Sequence, residues 1–264
     1  MKNIFTTSVI VALIITLLGC SDDFLDTSPE ASIAKENFFN SESDLQLYIN
    51  GLLSLPGYGL FLGDQGTDDM ATTGAVEIKN IMVGTPSAEN ITSGWSWDRL
   101  RNINFFLENY GKADIEEDAK KHYEGVARYF RAEFYFNMVK RYSDVPWYSQ
   151  TLNPDDDALY KTRDPRAMVM DSIINDIQFA SQNIRETVSF GDIDKWDAIM
   201  LQARIALYEG VFRKYHSEIG LEGTAKDFLE IAESAAKELM DSGNFKIYNT
   251  GNPTGVRLDP LIND

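Results

Sequence analysis

Residues 115 to 142, IEEDAKKHYEGVARYFRAEFYFNMVKRY, constrain the fold more than any other stretch. Ile115, Ala119, Tyr123, Val126, Phe130, Phe134 and Met138 recur at helical spacing, and a second apolar ridge runs between Val126 and Val139. A helix with one apolar face can lie on a surface; a helix with two must be covered on most sides. The chain therefore needs further helices to surround this one.

The flanking sequence supplies them. DLQLYINGLLSL, within residues 41–55, predicts a helix with Leu45, Ile49 and Leu52 on one face, broken by Pro56-Gly57-Tyr58-Gly59. From there to about Gly94 the chain is rich in Gly, Thr, Ser and Asp, and a region this long without an element reads as functional or loosely ordered. Helical spacing resumes at Trp97 with Leu100, Ile103, Leu107 and Tyr110, and Gly111 is placed as its stop. After Pro146 and a polar loop, Asp164-Pro165 predicts an N-cap and first-turn proline for a helix carrying Val169, Ile173, Ile177, Ala180 and Ile184. A helix over about 195–215 has its predicted stripe at Trp196, Ile199, Ala203, Leu207 and Val211. Thr224 and Asp227 read as an acidic capping box for a last helix with Phe228, Ile231, Ala235 and Leu239 inside and Gly243 beyond its end. Small residues at Gly125, Ala127, Ala132, Ala203, Ala206, Ala232 and Ala235 allow close helix approach. The expected fold is mainly α: tetratricopeptide-like stacked helical hairpins with a long irregular loop region.

The N-terminus carries a different signal. Lys2 precedes an apolar run from Ile4 to Leu18 that is shorter than the about 20 residues of a membrane span and suits a signal peptide. It ends in Leu17-Leu18-Gly19-Cys20, which resembles a bacterial lipobox: a small residue before a cysteine whose thiolate takes up lipid. Residues 1–19 are expected to be a lipoprotein signal peptide, Cys20 the lipidation site, residues 20–40 a tether, and 41–264 the helical domain. Asp22 and Asp23 resemble the address that sends such lipoproteins of the Bacteroidetes type to the outer face of the outer membrane.

Composition excludes other classes. A formal net charge of -17 repels nucleic-acid phosphates, so no nucleic-acid partner is expected. One cysteine rules out a disulfide framework within the chain, and His122 and His216 lack the spacing of a metal centre. No phosphate loop, GxSxG elbow or selected pair of carboxylates is present, so neither catalysis nor a cofactor is expected. The run Asp155-Asp156-Asp157 lacks the glycine and terminal glutamate of a calcium loop and reads as a solvated turn.

With these features in place the chain resembles the SusD/RagB family of starch-utilisation-type outer-membrane lipoproteins. The most specific match is EGVARYFRAEFYFNMVKRYSDVPWY at 124–148, supported by CSDDFLDTSPE, WDRLRNINFFLENY, KWDAIMLQARIALYEG and IAESAAKELMDSGNFKIY. The resemblance implies a surface lipoprotein, not an enzyme, that binds glycan or another nutrient and delivers it to a SusC-like TonB-dependent transporter. The resemblance implies a further half of loops and short strands, so the chain, ending in LDPLIND, reads as a truncated gene product or an N-terminal portion. The other function class admitted by the pattern is a helical-repeat scaffold, or a truncated remnant, in an outer-membrane complex that holds no sugar.

Sugar recognition needs flat aromatic faces against the apolar side of the ring and amides, carboxylates or arginines for its hydroxyls. The resemblance implies an acidic residue in the loop GDQGTDDM, with a Trp and an Asn following. The ligand-binding candidates are accordingly Asp68, Asp69, Trp95, Trp97 and Asn104, with Asn102 as the alternative amide. Trp147 and Tyr148, at a helix exit, read as core plugs.

Overall fold

The computed structural model describes residues 38–53, 81–87, 89–90 and 94–246. Among them the helices are α1 (Glu42–Leu52), α2 (Asp98–Asn109), α3 (Glu117–Tyr142), α4 (Arg166–Asn183), α5 (Lys195–Tyr215) and α6 (Ala225–Asp241). Cys20, Asp68 and Asp69 lie outside the described residues.

Helix α3 is the axis of the molecule. Both of its ridges are buried: Tyr123, Val126, Phe130 and Met138 on one, Ala127, Tyr135 and Val139 on the other. Helix α4 packs along it, α5 on α4, and α6 on α5, so that from α3 onward each helix lies mainly against its sequence neighbour. Helices α1 and α2 cover the remaining side of α3. Phe39, Tyr48, Phe105 and Phe106 close that side as an aromatic cluster, with Phe39 centroids 5.3 Å from Tyr48 and 5.9 Å from Phe105 and Phe106. Hairpins stacked in this way are the tetratricopeptide-like architecture expected from the pattern.

The close approaches are made by glycines. A methyl group at Gly125 would stand 2.9 Å from Ile184 Cγ1, and one at Gly210 would stand 2.8 Å from Leu229 Cδ2 and 3.1 Å from the Ala225 carbonyl. Leu45, Ile49 and Leu52 are the buried residues of α1, as the spacing predicts. That helix opens with a reciprocal cap in which Ser41 Oγ accepts from Asp44 N–H, and Asp44 Oδ2 accepts from Ser41 N–H at 2.9 Å. Asp194 and Asp197 cap α5 in the same way.

Four local expectations need correction. The helix after Pro165 begins at Arg166, and its first free N–H donates to Asp144 Oδ1 at 2.8 Å, an acid from the preceding loop; Asp164 is occupied elsewhere. Gly111 lies inside a 3-10 turn, Tyr110–Lys112, and does not stop α2. Thr224 makes no cap to α6: its hydroxyl donates to the Leu221 carbonyl and accepts from Arg213 Nη1. Finally, the buried face of α5 is rotated from the predicted stripe. Leu207 is 54% exposed and Val211 40%, whereas Ile205, Ala206, Glu209 and Arg213 are buried.

Two charges buried on α5 explain that rotation. Glu209 Oε2 accepts from Arg166 Nη2 at 2.6 Å and Oε1 from Arg213 Nε at 2.8 Å. Each guanidinium also covers an aromatic ring, Arg166 on Phe212 and Arg213 on Phe228, at 3.9 and 4.1 Å from the centroids. A pattern that sorts by hydrophobicity places these residues outside; their pairing brings them in.

Candidate functional site

The segment before α2, the first turns of α2, and the loop from Pro146 to Arg163 enclose a cavity of about 500 Å³. Trp95, Trp97, Arg101, Asn104 and Tyr148 line it, so three of the sequence candidates meet in one place. Trp95 is 41% exposed and packs edge-on against Trp97 and Tyr142, at 5.2 and 4.8 Å. Trp97 in turn stands edge-on to Tyr148 at 5.6 Å. The result is an open aromatic wall whose rings are fixed by one another.

Asn104 holds the opposite wall in position. It is 1% exposed, and its Nδ2 donates to the carbonyls of Tyr148 and Gln150 at 3.0 and 3.1 Å. Behind it Arg131 Nη1 donates to Asn104 Oδ1 at 3.5 Å, while Arg131 Nε and Nη2 make a fork onto Asp176 at 2.6 and 2.8 Å. The loop is thereby tied through α2 and α3 to α4. Asn104 spends its donors on this loop, and its position makes it a support for the wall. Asn102 accepts a hydrogen bond from the Tyr48 hydroxyl on its backbone carbonyl and is not among the described lining residues.

Trp147 and Tyr148 divide their roles. Trp147 stacks on Tyr135 at 4.2 Å, as a core plug would. Tyr148 lines the cavity, its N–H donating to the buried Tyr135 Oη and its own hydroxyl donating to the Ala158 carbonyl. Asp164 Oδ2 accepts from Trp147 N–H at 2.7 Å and from Lys161 Nζ at 2.6 Å. Burial alone would raise the Asp164 carboxyl; the Lys161 and Trp147 hydrogen bonds together outweigh it and hold the group below its usual range. Thr151 adds a last tie, donating from its N–H and hydroxyl to both oxygens of Glu108.

Arg101, Lys161 and Arg163 also line the cavity, and none was singled out from sequence. Arg101 falls one helical turn after Trp97, a spacing that could have flagged it. Arg163 arrives from a loop and has no such signal. Asp98 is the one carboxylate among the described lining residues. Among the described residues no group of histidines, cysteines or carboxylates is placed to hold a metal ion, and no helix is long and apolar enough to cross a membrane.

Residues 23–207 match the model of a SusD-like family described as starch-binding and associating with the outer membrane. The chain belongs to the SusD-like family. Two SusD-like proteins of Formosa agariphila are 25% and 27% identical to it over 225 and 230 residues, covering 76% and 79% of this chain and 42% and 44% of their own. The chain thus spans less than half the length of these relatives. A SusD-like protein of Bacteroides fragilis shares the fold with a TM-score of 0.63 at 23% identity, over 84% of this chain and 42% of that one. Another structure of the same fold, solved with a xylogluco-oligosaccharide, has a TM-score of 0.55 at 18% identity, over 80% of this chain and 40% of its own. SusD-like proteins are carbohydrate-binding proteins and not enzymes.

Proposed function

We propose that this chain is the glycan-recognising part of an outer-membrane lipoprotein, anchored through Cys20, that hands its ligand to a SusC-like TonB-dependent transporter. The observation that carries the reading is the cavity: the aromatic residues Trp95, Trp97 and Tyr148 line it together with the hydrogen-bonding residues Arg101 and Gln150. A cavity of about 500 Å³ has the size expected of a small-molecule site. Asp68 and Asp69 are proposed to add acceptors from their loop. The oligosaccharide carried by the relative of the same fold supports a sugar as the ligand class.

Affinity electrophoresis of the chain from Ser21 onward, through gels containing single polysaccharides, tests the binding claim. Retardation that Trp95→Ala abolishes is the expected result, and free migration on every polysaccharide would leave only the scaffold reading. Anchoring is tested separately: labelled palmitate is expected in the parent and absent from Cys20→Ala, which should also leave the membrane fraction. Recovery of a TonB-dependent porin with the tagged protein is the expected result for the transporter claim.

A further inference from the structure

Among the described residues the charge at the cavity is opposite in sign to that of the chain. The protein has 41 acidic residues against 24 lysines and arginines, yet the described residues lining the cavity include three cations and one carboxylate. Elsewhere six arginines are held by acids: Arg99 by Glu133, Arg128 and Arg131 by Asp176, Arg166 and Arg213 by Glu209, Arg185 by Glu42. With so many carboxylates available, an arginine of the cavity that faces none among the described residues stands out.

Two arginines of the cavity are in that position among the described residues. Arg101 Nη1 donates to the Leu152 carbonyl, a neutral acceptor, which leaves the rest of its fork open. Arg163 lies over the Trp95 ring, 5.1 Å from the centroid, where the cation and π contact sets the guanidinium without neutralising it. Lys161 differs, because Asp164 at 2.6 Å compensates it. Asp98, the lining carboxylate, sits in the first turn of α2, where the helix N-terminus favours a negative charge. Among the described residues the cavity therefore keeps two guanidinium groups with no carboxylate partner beside its aromatic wall.

A guanidinium fork matches the two oxygens of a carboxylate or sulfate and is less hydrated than an ammonium. Neutral hydroxyls need no such charge. We infer that the cavity takes an anionic glycan, one bearing uronate carboxylates or sulfate esters, with Arg101 and Arg163 receiving the negative groups while Trp95, Trp97 and Tyr148 cover ring faces. This assignment rests on the glycan-binding reading and adds the ligand class to it. It also accounts for how so acidic a chain would accept an acidic polymer. At physiological salt the net field is screened within about 8 Å, so the sign of the cavity governs the contact.

Isothermal titration of the full chain with oligomers of polygalacturonate, carrageenan, starch and xyloglucan tests this, each at low and high salt. Binding of at least one of the two anionic oligomers, weakened by salt and tighter than either neutral one, is expected. Arg101→Gln and Arg163→Gln should each weaken it about 10-fold or more, the size of one lost charged hydrogen bond. Both side chains are exposed, and unchanged circular dichroism spectra would establish that the variants are folded. Binding of polygalacturonate alone assigns carboxylate, and of carrageenan alone sulfate; either supports the inference. Equal or tighter binding of a neutral glycan, indifferent to both arginine variants, overturns the anionic class and leaves the glycan reading standing. Failure to bind any of the four overturns both.

Discussion

Replacing Glu209 by Gln should cost more stability than almost any other single polar change in this chain. Glu209 is fully buried, and Arg166 and Arg213, at 4% and 2% exposed, both depend on it. The amide keeps the volume but removes the charge, leaving two guanidinium groups in the core without a counter-ion. Breaking one buried pair from one side costs about 3–5 kcal/mol. A domain has only about 5–15 kcal/mol in total, so the variant should stand close to unfolding. Urea denaturation followed by circular dichroism measures it, as a large drop in midpoint at an unchanged slope. A companion variant, Arg166→Met with Glu209→Leu and Arg213→Met, removes all three charges and should recover most of the loss, because the cost lies in orphaned charge more than in the missing attraction. A Glu209→Gln protein within about 1 kcal/mol of the parent would refute the reasoning, since water would then be reaching the cluster.

Glycine positions give a paired test. Gly210→Ala should lower the melting temperature despite a better helix propensity, by about 1–3 kcal/mol of overpacking against Leu229 and Ala225; Gly51→Ala, in open space on α1, should raise stability by about 0.5–1 kcal/mol. His122 supplies a pH dependence. Burial, with help from the Arg185 charge and against Glu42, lowers its pKa from 6.5 to about 4, so the unfolded chain binds the extra proton between those values. Its stabilising contribution is full above about 6.5 and is lost as the pH falls toward 4, at up to about 1.4 kcal/mol per pH unit. His122→Gln, which keeps an acceptor for Arg185 N–H, should flatten that part of the stability curve. Tyr135→Phe orphans the Tyr148 N–H and should cost about 1–3 kcal/mol. It should also weaken glycan binding through the shifted Tyr148 wall, read in the same titration.

The parts of this fold visible in the sequence are those decided by short-range periodicity. The double ridge of α3 is one, and Leu45, Ile49 and Leu52 on α1 are another. Where a charge goes inside with its partner, periodicity misleads: Glu209 and Arg213 turn α5 away from the face that Leu207 and Val211 suggest. Where a cap comes from a distant residue, proximity misleads in the same way. Asp144 caps α4 although Asp164 stands next to it, because Asp164 is held by Trp147 and Lys161. The cavity followed the same division. Trp95, Trp97 and Asn104 are candidates that the family resemblance implies; the two tryptophans line the cavity, and Asn104 holds its wall. The cations were missed, because what distinguishes Arg101 and Arg163 is that neither meets an acid among the described residues, a property of three-dimensional placement.

The neighbour-on-neighbour order of α3 to α6 also bears on how the chain reaches its native state. Contacts made between consecutive helices close short loops, and such topologies condense quickly, one hairpin seeding the next. Helix α1 is the exception: its partners α2 and α3 lie across a long intervening segment, and Arg185 Nη1 reaches Glu42 Oε1 from 143 residues away. Closing that span carries the largest entropic cost and comes late. In hydrogen exchange α1 should be the first element to open, while α3 remains protected to the last.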